Sequence, residues 1–179
     1  MPKSSHLLSI AVLGPIRDGL TDKLLRLMLD RGAELHECRM SHLGETIALS
    51  CLVAGDWSAL GRLEAALPGL AQQFNARALF YRTERRPEAP EYRPYHVDVV
   101  APHAADLVTQ LLGFFSSQGV VATEINTQRY DSSHTGAPMC NLQMSVNVPV
   151  SQHPPALREA FMDLCDELNA DGIMDPVKN

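Results

Sequence analysis

The chain has no two cysteines in Cys-x-x-Cys spacing; Cys38, Cys51, Cys140 and Cys165 lie far apart. A paired-thiol metal carrier or redox motif is therefore missing. Each cysteine falls in an apolar-patterned stretch, which predicts four buried small hydrophobes. Long hydrophobic runs are missing too: none approaches the roughly 20 residues that cross a bilayer. The opening Met1-Pro2-Lys3-Ser4-Ser5-His6 lacks the apolar stretch and cleavage site of a signal peptide. The expectation is a cytoplasmic protein with no membrane partner. Basic residues are scarce in the second half, where residues 96–179 hold three Lys/Arg against ten Asp/Glu. Such an acidic half repels phosphates, so direct binding to nucleic acid is disfavoured. No Gly-x-Ser-x-Gly, Walker loop or His-Glu-x-x-His occurs.

What is present begins with Leu13-Gly14-Pro15-Ile16-Arg17-Asp18-Gly19-Leu20. An apolar run from Leu7 precedes it, and Leu20, Leu24, Leu27 and Met28 follow at helical spacing. This stretch is predicted to turn a buried strand into an amphipathic helix. Asp18 is placed to cap that helix. The free N–H groups of its first turn suit a small anion such as a carboxylate. Plain structural punctuation is the competing reading of the same turn.

The first half continues as strand, helix, strand, strand, helix, strand. The first helix stops at Gly32. Along Ala33–Leu43, His36, Cys38, Met40 and His42 alternate against Leu35, Glu37, Arg39 and Ser41, which places His36 and His42 on one face. Gly44-Glu45 makes a hairpin turn, and Asp56 caps the second helix. Pro68-Gly69 is expected to distort or end that helix early. Residues 84–94, with three prolines and alternating charge, read as an extended linker. They separate a first domain, 1–83, from a second, 95–179.

The second half repeats the first. Leu20, Leu24, Met28 and Gly32 match Leu107, Leu111, Phe115 and Gly119 at an offset of 87. After the hairpin, Leu63, Leu67, Phe74 and Asn75 match Leu157, Phe161, Leu168 and Asn169 at an offset of 94. Seven extra residues in the second hairpin account for the difference. The fold class is therefore α+β: two tandem ferredoxin-like βαββαβ units, each an antiparallel sheet with both helices on one face.

Chemistry is harder to find. The histidines are scattered, and strands two and three of the first unit lack the paired aromatics of an RNA-binding sheet. Asp163, Asp166 and Glu167 look like a solvated helix face. No catalytic or metal-binding constellation emerges, and no enzyme is expected.

With repeat and turn together, the chain resembles tandem ACT domains, the small amino-acid-sensing module. Gly14-Pro15-Ile16-Arg17-Asp18-Gly19-Leu20 fits that module's turn with Arg and Asp exchanged. Leu43-Gly44-Glu45, Leu67-Pro68 and Leu164-Cys165-Asp166-Glu167-Leu168-Asn169-Ala170-Asp171-Gly172, with the linker and two bare units, are similar to the glycine cleavage system transcriptional repressor family. The resemblance implies an amino-acid-responsive regulator without its own DNA-binding domain. It would bind a separate DNA-binding transcriptional activator protein and repress the glycine cleavage operon, with glycine as effector and no cofactor. In such modules the effector sits between the first turn of one unit and a facing element of another, so a homodimer is a possible form. Carried over, the candidates are Gly14, Arg17, Asp18, Gly19 and Leu20. Backbone N–H groups would take the carboxylate, and Asp18 or Glu34 the ammonium; Glu34 stands where the family has Asn. The second copy, Ala101-Pro102-His103-Ala104-Ala105-Asp106-Leu107, has neither glycine. A ligand-independent interaction scaffold with a decayed effector site is the alternative.

Overall fold

A computed structural model describes residues 6–84 and 91–177 of the chain. The chain divides into two compact units, Met1–Pro87 and Glu88–Asn179. The first holds β1 (His6–Pro15), α1 (Leu20–Asp30), β2 (Glu34–Leu43), β3 (Thr46–Gly55), α2 (Trp57–Gln73) and β4 (Arg77–Thr83). Its antiparallel sheet has the order β2-β3-β1-β4. The second holds β5 (Tyr92–Pro102), α3 (Leu107–Ser117), β6 (Val121–Asp131), β7 (Pro138–Pro149), α4 (Pro154–Glu167) and β8 (Asp171–Pro176), in the order β6-β7-β5-β8. Both are ferredoxin-like βαββαβ units.

Period-two burial builds each core. In unit 1, Leu8, Ile10 and Val12 of β1 and Leu49, Cys51 and Val53 of β3 point under the helices. There they meet Leu20, Leu24 and Met28 of α1 and Leu60, Leu63 and Leu67 of α2. Unit 2 fills the same space with larger groups: the rings of Phe115 and Phe161 stack at 5.8 Å. A Cβ at Gly172 would lie 2.4 Å from Cys165 Sγ, so only glycine fits behind those rings.

The repeat extends to single hydrogen bonds. Ala33 N–H donates to Met28 O and Val120 N–H to Phe115 O, each at 2.9 Å, closing α1 and α3 alike. Asn75 and Asn169 take the left-handed conformation after α2 and α4, with φ of 54° and 51°. Asparagine tolerates that region better than most residues.

Four expectations need correction. Helix α2 runs through Pro68 to Gln73. Burial of Leu63 and Leu67 before Pro68 and Ala71 after it offsets the roughly 3 kcal/mol an interior proline costs. Strand β5 starts at Tyr92, three residues before Tyr95, because β7 extends far enough to pair with Tyr92, Arg93 and Pro94; residues 85–90 of the expected linker lie outside the described residues. Strand β2 is exposed along all ten residues, so Cys38 is exposed, while Cys51, Cys140 and Cys165 are buried. A β-bulge between Leu35 and Glu37 breaks the alternation of β2. His42 stays opposite Ile47 on the helix side, whereas His36 joins Glu37 and Leu52 on the other.

The uncovered sheet faces differ in character. In unit 1 it carries exposed Leu13, Leu79 and Tyr81. In unit 2 the equivalent face is more polar, with Gln143 Nε2 donating to Asp98 Oδ1 at 2.9 Å, although Ile173 stands exposed beside Asp98.

Candidate functional site

The strand-to-helix turn of unit 1 lies where β1 leaves the sheet. Gly14 pairs with Ile47 and Pro15 with Thr46, beside the tip of the β2–β3 hairpin. Ile16 N–H donates to Glu45 O at 3.0 Å, tying the turn to that tip. Gly19 is the N-cap of α1, with φ 86°, and no side chain caps the helix. Asp18 therefore does not cap, contrary to expectation: the left-handed Gly19, not an extended Asp18, introduces α1. Lys23 N–H reaches Gly19 O at 2.9 Å as the first helical bond, and Leu20 N–H makes a long 3.5 Å bond to Arg17 O. The N–H donors of Thr21 and Asp22 are thus left for solvent or a ligand.

The remaining predicted residues separate by role. Arg17 and Asp18 are exposed. Leu20 is 1% exposed and anchors the core, so its side chain does not face a ligand. Gly14 answers to packing: a Cβ there would lie 2.5 Å from Ala76 Cβ and 2.8 Å from its Cα. Glu34 is not brought to the turn within the unit. It stands opposite Ala54, which also faces Leu7 on β1. Leu7 and Gly14 are seven residues apart, about 23 Å along a strand.

What does reach the turn is the other end of β2. His42, Ile47 and Gly14 form one cross-strand row. Thr21 Oγ1 lies 3.7 Å from Met40 Sδ. The sequence places Met40 and His42 on one face of their strand but not beside the turn; hairpin register counted from Gly44-Glu45 is the signal that locates them there.

A cavity of about 480 Å³ opens elsewhere on unit 1, lined by Leu7, Ser9, His36, Glu37, Leu52, Thr83 and Glu84. It is a wide depression on the uncovered sheet face, at the end away from the turn. Among the described residues no cluster of His, Cys, Asp and Glu is arranged to hold a metal ion.

Residues 6–81 match the family model of the ACT domain. Over 174 residues the chain is 26% identical to proteins named glycine cleavage system transcriptional repressor from Escherichia coli K12 and Shigella flexneri, covering 97% of this chain and 92% of each relative. A crystal structure provisionally assigned to such a repressor shares the fold across 98% of this chain and 99% of its own, with TM-score 0.75 and 23% identity. An uncharacterised protein from Galdieria sulphuraria does so across 98% and 100%, with TM-score 0.78 and 20% identity. Unit 1 carries the match to the ACT domain, and unit 2 repeats its fold.

The second unit keeps the skeleton of the turn without its glycines. His103 N–H donates to Pro138 O at 2.9 Å, Leu107 N–H to Ala104 O at 3.4 Å, and Gln110 N–H to Asp106 O at 2.9 Å. Their donors are Ile16, Leu20 and Lys23 displaced by 87 residues, while the first acceptor, Pro138, lies across the longer hairpin, 93 residues after Glu45. The N-cap differs: Asp106 has φ −103°, in the right-handed region, where Gly19 is left-handed.

Proposed function

We propose that this protein is a tandem ACT-domain, amino-acid-responsive transcriptional regulator that acts through a protein partner. Glycine is its effector, and a DNA-binding activator of the glycine cleavage operon is its target. The observation carrying this reading is the uncapped start of α1 behind left-handed Gly19. Exposed N–H dipoles there attract a carboxylate, and Asp18 supplies a counter-charge for the ammonium. The name of the relatives supports the choice of operon.

Glu34 joins this site only from a second copy, since its own strand carries it to the far end of the unit. A homodimer placing Glu34 of one chain over the turn of another makes the site complete. Glycine has few heavy atoms, and a ceiling of about 1.5 kcal/mol per atom limits its affinity to micromolar or weaker. Regulation then requires that glycine bind one arrangement of the subunits better than another.

Amide shifts recorded during glycine titration test the effector. Movement confined to Gly14–Thr21 and the facing strand is expected at millimolar glycine, and Asp18→Ala abolishes it. Silence of those amides rules glycine out. The lost glycines of the second turn favour one rival, an interaction scaffold whose partner binding ignores amino acids. Capture of a DNA-binding activator, equal with and without glycine, is that rival's signature.

A further inference from the structure

Cys38 and Cys51 are direct register partners on β2 and β3, and their Sγ atoms lie 3.6 Å apart. The β2–β3 connection is the two-residue turn Gly44-Glu45, with Gly44 at φ 61°. Residues flanking such a turn exchange both backbone bonds, and the pairs then alternate. Counted back from Leu43 and Thr46, Cys38 and Cys51 fall on a non-hydrogen-bonded pair, where Cα atoms approach to about 4.5 Å. That separation lies within the range a disulfide bridges. The bulge in β2 comes after this pair, between Leu35 and Glu37, and leaves the register at Cys38 intact.

The two thiols are unequal. Cys38 is on the open edge strand and exposed, while Cys51 is buried against the core. Burial, followed by the bond to Cys38, pushes the Cys51 thiol up to about 12. The raised value slows Cys51, so the exposed thiol meets the oxidant first and the covered one, held 3.6 Å away, resolves the adduct in a slower second step.

We propose that Cys38 and Cys51 are a modification site: a vicinal cross-strand dithiol that closes reversibly to a disulfide on reaction with a low-molecular-weight disulfide. The Cys38 thiolate attacks one sulfur of the oxidant; that S–S bond breaks, and one thiol leaves after taking a proton. Cys51, losing its proton, then attacks Cys38 Sγ in the mixed disulfide, and the second thiol leaves. Two protein thiols are oxidised, and one disulfide is reduced to two thiols. The bond pins the edge strand β2 to β3, in the hairpin whose tip accepts the Ile16 N–H bond.

The test incubates the full-length native protein with glutathione disulfide and follows intact mass and peptide maps. The expected product has lost two hydrogens, carries a linked Cys38–Cys51 peptide, and returns to starting mass with dithiothreitol. Cys51→Ser is expected to stop at one glutathione adduct on Cys38. Cys38→Ser, at an exposed position, is expected to abolish the mass loss, and Cys140→Ser to leave it intact. Amide exchange in β2 is expected to slow in the oxidised wild type. A stable glutathione adduct on the wild type, a link between two chains, a fully reduced protein, or mass loss persisting in Cys38→Ser each overturns the proposal.

Discussion

Gly14 and Ala76 touch so closely that the glycine of the turn has a structural explanation of its own. A methyl group at Gly14 meets both Cβ and Cα of Ala76, and overpacking of this kind costs about 1–3 kcal/mol. Gly14→Ala is therefore expected to lower the denaturation midpoint of unit 1. Ala76→Gly in the same chain should recover part of the loss. Trp57, the only tryptophan, reports that transition by fluorescence. An unaltered midpoint in Gly14→Ala would instead reserve this glycine for ligand contact. Gly19 is the opposite case, with nothing within 4 Å of an added Cβ; its positive φ alone requires glycine. Both glycines stood out in the sequence, yet their different reasons did not. One depends on Ala76, more than sixty positions away, and the other on the local backbone.

Strand β4 is fastened to α2 by one charged pair. Arg82 Nε and Nη2 donate to the two carboxylate oxygens of Glu64 at 2.5 and 2.9 Å. The guanidinium also lies 4.4 Å from the centre of the Trp57 ring. Hydrogen bonds from Arg82, more than its charge, hold the Glu64 carboxyl below the ordinary carboxylate range. A folded-state pKa below the unfolded one stabilises the fold above the ordinary value and stops doing so as pH falls through the folded value. Arg82→Ala should thus cost about 2 kcal/mol near neutral pH. The gap to wild type should narrow as pH drops below about 4, followed through the Trp57 denaturation midpoint. A gap of constant size across that range would assign the loss to ring stacking. Element positions were largely legible from periodicity and caps: Asp56 caps α2 by accepting from Ala59 N–H at 2.7 Å, and Pro154 opens α4. Pro68 misled because a single-residue cost was weighed without the burial of Leu63 and Leu67 before it and Ala71 after it.

In the whole molecule, two copies of one topology have diverged at their turns. The glycine response is accordingly expected in unit 1, with amides of Ala101–Leu107 unmoved. Shifts at both turns would mean that the hydrogen-bond skeleton, common to the two, suffices without Gly19. Assembly gives a second test. If Asp18 of one chain and Glu34 of another share a site, Asp18→Ala and Glu34→Ala proteins are each silent alone. Mixed in equal amounts, they should regain about a quarter of the wild-type sites, because half the dimers are hybrids and each hybrid has one intact site. No recovery overturns the shared site, and a response retained by Glu34→Ala alone takes Glu34 out of it. Sequence by itself determined the duplicated βαββαβ plan, since periodicity, caps and the 87- and 94-residue offsets are local properties that survive in one dimension. Only the tertiary structure decided that Leu20 belongs to the core, that Glu34 stands a strand's length from Asp18, and that Cys38 faces Cys51. Those facts follow from strand register and from which faces the helices cover, and both are set by pairing between residues distant along the chain.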